Sequence, residues 1–108
     1  MKTCRVSYIA EAEQDLNEII HYIARHDSHK QALYVLERIE QACERLKQFP
    51  ERGHIPPELR DLGLNQYREV FFKPYRIIYQ IINRDVYIHC ILDGRRDLQT
   101  LLQQRLMR

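Results

Sequence analysis

The chain has 108 residues, a length at which folding buries about two-thirds of the unfolded surface, and it is expected to form one domain over residues 1–108. Charged residues make up 30% and the apolar and aromatic class 44%, with three Gly and four Pro, which excludes disordered, collagen-like and low-complexity chains. The longest apolar run, Ala32 to Leu36, is five residues, against the ~20 needed to span a bilayer. Met1-Lys2-Thr3-Cys4-Arg5 has no apolar segment behind it that could act as a signal core, so a cytoplasmic location and no membrane partner are expected.

Seventeen basic against fifteen acidic residues give a net charge of +2, which neither demands nor excludes a polyanionic partner. The distribution is uneven. Residues 1–50 carry 7 basic and 8 acidic side chains (net −1), and residues 51–108 carry 10 and 7 (net +3). Nine of those ten are arginines, the side chain suited to forked contacts with phosphate or carboxylate. Cys4, Cys43 and Cys90 form an odd set with no CxxC or Cys/His cluster, each inside an apolar pattern; buried thiols are expected, with no disulfide, metal or cofactor.

In chain order, Thr3 to Ile9 alternates, with Cys4, Val6 and Tyr8 on one side, as in a half-buried strand. From Ala10 to Arg25 the period changes: Ala12, Leu16, Ile19, Ile20 and Ile23 fall on one helical stripe, with Glu11, Asp15, Glu18 and His21 on other faces. Ser28 can cap a second helix carrying Ala32, Val35, Leu36, Ile39, Cys43 and Leu46, which stops at Phe49-Pro50. The short connection makes the pair an antiparallel hairpin. Pro50 to Asn65, with Gly53, Pro56-Pro57 and Gly63, reads as irregular. Three β-rich runs follow, Tyr67 to Phe72, Tyr75 to Asn83 and Val86 to Leu92, separated by Lys73-Pro74 and Arg84-Asp85, as in an antiparallel meander. Asp97 can cap a last helix with Leu98, Leu101, Leu102 and Leu106 on one face, which packs back on the domain.

Period two ties register to face. A two-residue turn at Arg84-Asp85 sets Ile77, Tyr79 and Ile81 opposite Leu92, Cys90 and Ile88, an apolar layer for the hairpin to cover. The other face then holds Arg76 across from Asp93, Gln80 across from His89 and Ile82 across from Tyr87; a tight Lys73-Pro74 turn adds Glu69 and Phe71. Glu69, Arg76, Tyr87, His89 and Asp93 are thus expected on one open surface.

This α+β order, β-α-α-β-β-β-α, resembles the RelE/ParE superfamily of type II toxin–antitoxin toxins. The resemblance is carried by Ala12 with Asp15-Leu16 and Ile19 with Tyr22-Ile23, then Leu46 with Pro50 and Gly53, then Pro57-Glu58-Leu59 and Tyr67-Arg68-Glu69. It continues through Tyr75-Arg76-Ile77-Ile78-Tyr79 and Asp93-Gly94-Arg95-Arg96-Asp97. It implies an antiparallel sheet packed on a two-helix hairpin with a short C-terminal helix. It also implies a cognate antitoxin partner, and a homodimer or a toxin–antitoxin hetero-oligomer.

Within that superfamily, RelE-like toxins cut mRNA in the ribosome and ParE-like toxins inhibit DNA gyrase without being nucleases. The RelE pattern has two lysines on the strand before YRxxY, an Arg in YRxxY, an Arg after the last strand and a C-terminal Tyr. Here Arg76 and Arg96 fill the arginine positions, but the lysine positions read Arg68 and Val70 and the tyrosine position falls near Leu102. Ribonucleolytic cleavage needs a base, a proton donor and a cation, and arginine supplies the cation only. The resemblance is therefore closer to ParE: a binding protein and not an enzyme, with Arg76, Arg95 and Arg96 as target-binding residues. The alternative is a ribosome-dependent mRNA endonuclease using Glu69, Arg76 and His89, as some nucleases of the superfamily use a Glu, an Arg and a His. An exposed Arg76–Asp93 pair, worth ~0.5 kcal/mol, is the purely structural role for Arg76. His21, His26, His29 and His54 are assigned to solvent.

Overall fold

The computed structural model describes residues 4–107; Thr3 of the expected first strand lies outside them. The elements are β1 (Val6–Tyr8), α1 (Ala10–His26), α2 (His29–Glu44) running into a 3-10 turn (Arg45–Lys47), α3 (Pro57–Arg60), β2 (Tyr67–Phe72), β3 (Tyr75–Ile82), β4 (Asp85–Asp93) and α4 (Gln99–Leu106). Glu11 and Glu13 in the first turn of α1 and Arg25 and His26 in its last complement the helix dipole. Ser28 begins α2, its hydroxyl accepting the Gln31 N–H at 3.0 Å.

The sheet runs β1-β4-β3-β2. The last three strands form the expected antiparallel meander, and β1 joins in parallel beside β4, Val6 opposite Val86. The hairpin of α1 and α2 covers one face, burying Ala12, Leu16, Val35, Ile39, Cys43 and Leu46 against Val70, Ile77, Tyr79, Val86, Ile88 and Ile91.

The β3–β4 register departs from the sequence expectation in two ways. The turn is Asn83-Arg84 and not Arg84-Asp85, both residues having positive φ (59° and 103°) as tight hairpin turns demand. That moves the pairing by two residues, so Tyr79 faces Ile88, and leaves the faces unchanged. A bulge then inserts His89 between the Tyr79–Ile88 and Ile78–Cys90 pairs and reverses the parity of everything beyond it. Cys90 and Leu92 are buried as expected for apolar residues, but on the opposite face, and Ile91 takes the place beneath the hairpin. Arg76 sits opposite Leu92, and Asp93 sits opposite Tyr75 on the hairpin side.

The face expected to be open is largely covered. A second core of Leu59, Tyr67, Ile78, Cys90, Leu92, Leu98 and Leu102 forms beneath α3 and α4. The leucine stripe of the last helix thus packs back on the sheet, as its pattern predicts. Asp97 accepts the Gln99 N–H at 3.2 Å at the start of α4. The turn α3, within the segment read as irregular, begins at Pro57, where a missing N–H is tolerated.

Candidate functional site

Two constellations and one groove bring together the residues that the sequence singled out. The first is an ion cluster on the α3 side of the sheet. Arg76 Nε donates to Glu69 Oε1 at 2.7 Å and Nη2 to Glu69 Oε2 at 3.1 Å, while Nη1 and Nη2 fork onto Glu58 Oε2 and Oε1 at 2.5 and 2.8 Å. Glu69 is 1% exposed. The Arg76 fork holds the Glu58 carboxyl below its usual range, and the two carboxylates in turn keep the guanidinium charged. Arg76 therefore pairs with Glu58 and Glu69 and not with Asp93, whose partner is Arg95 at 2.7 Å.

Neighbouring groups tie the cluster to the 50–54 loop. The Tyr79 hydroxyl donates to the Pro50 carbonyl at 2.6 Å and accepts the Gly53 N–H at 3.1 Å. Arg68 Nη1 donates to the Gly53 carbonyl at 2.8 Å. His54 and Glu69 exchange both backbone hydrogen bonds, at 3.2 and 2.8 Å. A Cβ at residue 53 would stand 2.6 Å from both the Glu69 carbonyl and the Tyr79 hydroxyl, so this approach requires glycine. The histidine beside Glu69 is His54, its Nε2 3.5 Å from Glu69 Oε2 and its side chain 59% exposed. His89 lies elsewhere: its Nε2 meets Gln80 Oε1 at 3.1 Å and Tyr67 packs edge-on to its ring, with burial and then Arg105 lowering its pKa. Glu69 and Arg76 thus come together as the nuclease alternative requires, while the contacts of His89 are with Gln80, Tyr67 and Arg105.

The second constellation, unforeseen in the sequence, completes the sheet where β1 ends. Beyond Ile88 the outer edge of β4 has no strand of the described residues beside it, and unpaired backbone groups there need partners. Asp15 Oδ2 accepts the Ile91 N–H at 3.0 Å, and Arg105 Nη2 donates to the His89 carbonyl at 2.9 Å. Arg105 also forks onto Asp15 at 3.1 and 3.0 Å and lies 3.2 Å from Glu11. Side chains from α1 and α4 thereby stand in for a missing strand and fasten the C-terminal helix. A polar residue in the otherwise apolar Ala12/Leu16/Ile19 neighbourhood was the available signal at Asp15.

The groove, ≈ 890 Å³, opens between the tip of the helical hairpin, the β2–β3 turn and the end of β4. Tyr22, Tyr34 and Tyr75 supply aromatic wall, Lys73, Arg95 and Arg96 supply positive charge, and Asp15, Glu18, Asp27 and Asp93 supply negative charge. Arg95 is 73% exposed even while forked onto Asp93 at 3.0 and 2.7 Å, a contact that lowers the Asp93 pKa. Gly94 donates its N–H to the Pro74 carbonyl at 2.7 Å, which fixes the arginine pair beside the β2–β3 turn. Of the three expected target-binding cations, Arg95 and Arg96 line this groove and Arg76 belongs to the ion cluster. Among the described residues no group of three or more His, Cys, Asp or Glu is placed to hold a metal ion, and no helix is long and apolar enough to cross a membrane.

Comparison with known proteins agrees with this architecture. Toxin ParE3 of Caulobacter vibrioides is 33% identical over 91 residues, covering 84% of this chain and 87% of that protein. Among solved structures, a chain of the chromosomal ParDE toxin–antitoxin system from P. aeruginosa superposes with a TM-score of 0.69 at 16% identity, over 82% of this chain and 94% of that one. A chain of the RelBE2 toxin–antitoxin complex from Mycobacterium tuberculosis does so with a TM-score of 0.59 at 19% identity, over 82% and 95%. The sequence model of the ParE toxin of type II toxin–antitoxin systems (parDE) matches residues 6–98, and the chain belongs to that family of toxins.

Proposed function

We propose that this ParE-type toxin acts by binding, with DNA gyrase as its target and Arg95 and Arg96 as contact residues, and that a cognate antitoxin neutralises it by occupying the same groove. The observation that carries this reading is the state of Glu69 and Arg76. A carboxylate that is 1% exposed and doubly bonded to a guanidinium cannot reach a 2′-hydroxyl, and a guanidinium committed to two carboxylates is not free for a phosphate. Arg95 and Arg96 are solvent-facing and sit on a turn held by the Gly94 N–H to Pro74 carbonyl bond. Arg76 contributes to activity through position: its methylene stem packs where a Cβ on residue 94 would meet Arg76 Cδ at 2.9 Å, so the ion cluster supports the turn that carries the arginine pair.

For the antitoxin, the groove offers three exposed or half-buried tyrosines together with the cations Lys73, Arg95 and Arg96 and the carboxylates Asp15, Glu18 and Asp27, a surface suited to a segment bearing apolar side chains and charges of both signs that folds on binding. Occupation of one groove by antitoxin or by target makes neutralisation a matter of competition. Hydrogen exchange on the purified toxin–antitoxin complex tests it: protection should rise at residues 15–31 and 72–75, and unchanged exchange there would place the antitoxin elsewhere. Titration of the purified toxin into a gyrase supercoiling reaction tests the target, with the Arg95→Ala/Arg96→Ala variant as control.

A further inference from the structure

On the outer edge of β2, away from the groove, a second cavity of ≈ 220 Å³ is lined by Ala42, Arg45, Arg52, His54, Glu69, Val70 and Phe71. Its cations differ from their neighbours. Lys47 is bound to Glu44 at 2.6 Å, Arg68 to the Gly53 carbonyl and Arg76 to two glutamates. The guanidinium groups of Arg45 and Arg52 have no hydrogen-bond or ion-pair partner among the described residues, although both face one cavity. The acidic group in the wall, Glu69, has its charge turned toward Arg76 and met there by two bonds. Beside the two arginines stands an aromatic surface: the Phe71 side chain is 45% exposed, and its ring lies 5.4 Å from that of His54 at an interplanar angle of 32°.

Two unpaired guanidinium groups over a neutralised floor match the forked geometry and charge of a phosphate. A flat aromatic face next to them suits a stacked base, the combination by which single strands are held without sequence preference. The volume falls below the about 300–1,000 Å³ of drug-sized pockets and is on the scale of one nucleotide. We propose that Arg45 and Arg52 form a phosphate subsite for single-stranded nucleic acid, with Phe71 as the adjoining stacking surface. The site binds and does not cleave, and it shares no residue with the groove, so it stands or falls independently of the gyrase reading.

The test is fluorescence anisotropy of a labelled twelve-nucleotide oligo(dT) with the full-length toxin between 50 and 200 mM salt. Inorganic phosphate and a polyglutamate peptide serve as competitors. Arg45→Ala/Arg52→Ala should weaken binding and reduce the log–log salt slope by about 0.7, the contribution of one neutralised phosphate on a single strand. Phe71→Ala should weaken binding roughly 5- to 150-fold with the slope unchanged. All three side chains are exposed, and circular dichroism melts confirm that the variants fold. Phosphate should compete and polyglutamate should not; absence of oligonucleotide binding, binding indifferent to both arginines, or displacement of the oligonucleotide by polyglutamate at equal charge concentration would each overturn the proposal.

Discussion

Replacing Arg76 by Ala should cost more than any other single surface-facing change in this toxin, because Glu69 is left behind. The wild-type side chain makes four charge-assisted hydrogen bonds to two carboxylates. At about 1.5–3 kcal/mol each their sum would approach the whole stability of a small domain, so simple addition overshoots. Burial decides what is lost. Glu58 has 23% of its side chain exposed and regains water, whereas Glu69 at 1% stays buried without a counter-ion. Breaking such a pair from one side costs about 3–5 kcal/mol, a fall in melting temperature of about 12 °C or more for a domain of this size. Replacing both partners, Arg76→Leu with Glu69→Leu, should recover most of that loss, because an apolar pair leaves no charge buried. The pH dependence carries a matching signature. Glu58 has its folded pKa depressed by Arg76, so its contribution is complete above the unfolded value of about 4.3 and is lost as pH falls through the folded one. That acid limb should vanish in Arg76→Ala. Urea and thermal unfolding measured from pH 3 to 7 report both effects, and an Arg76→Ala midpoint within about 2 °C of wild type would refute the structural role of the cluster.

Further outcomes follow from other parts of the molecule. Arg105→Ala removes the cation that bridges α4, Asp15 and the His89 carbonyl and should cost about 1–3 kcal/mol, with the Ile91 amide losing hydrogen-exchange protection first. Arg84→Gly should stabilise by up to about 1 kcal/mol, read in urea unfolding, since Arg84 holds φ 103° where glycine is unstrained. In native protein the half-buried Cys4 should react with a maleimide before Cys90 and Cys43, the latter having its thiol pushed up to about 11 by burial, and all three should react at similar rates in urea.

Much of this architecture is written in short-range patterns. The 3.6-residue stripe of α1, the Ser28 cap and the Lys73-Pro74 turn each depend on neighbours within a few positions, and each was legible. The faces of β4 were legible only as far as Ile88. Nothing local marks His89 as an added residue; the bulge reflects Asp15 and Arg105, 76 residues before Ile91 and 16 after His89, bonding to the edge of the strand. One unpaired residue then carried Cys90, Leu92 and Asp93 to the faces opposite those expected. The motif residues that mark the family could be found but not interpreted from sequence. Pro50, Gly53, Glu58, Glu69, Arg76 and Tyr79 are scattered over 30 positions, and only the folded chain joins them into two hydrogen-bonded sets linked by the His54–Glu69 backbone pair. Much of the family's signature thus builds the scaffold, while Tyr22, Arg95 and Arg96 face solvent at the groove.

In the proposed function the toxin works by contact through Arg95 and Arg96 and not by RNA cleavage. The most direct measurement runs two reactions on one preparation, gyrase supercoiling of relaxed plasmid and primer-extension mapping of mRNA in a translating extract. The expected result is loss of supercoiling that Arg95→Ala/Arg96→Ala relieves roughly tenfold or more in toxin concentration, equivalent to about 1.4 kcal/mol of contact energy, with mRNA intact. Cuts at the ribosomal A site that Glu69→Gln or His89→Ala abolish, with supercoiling unaffected, would contradict it.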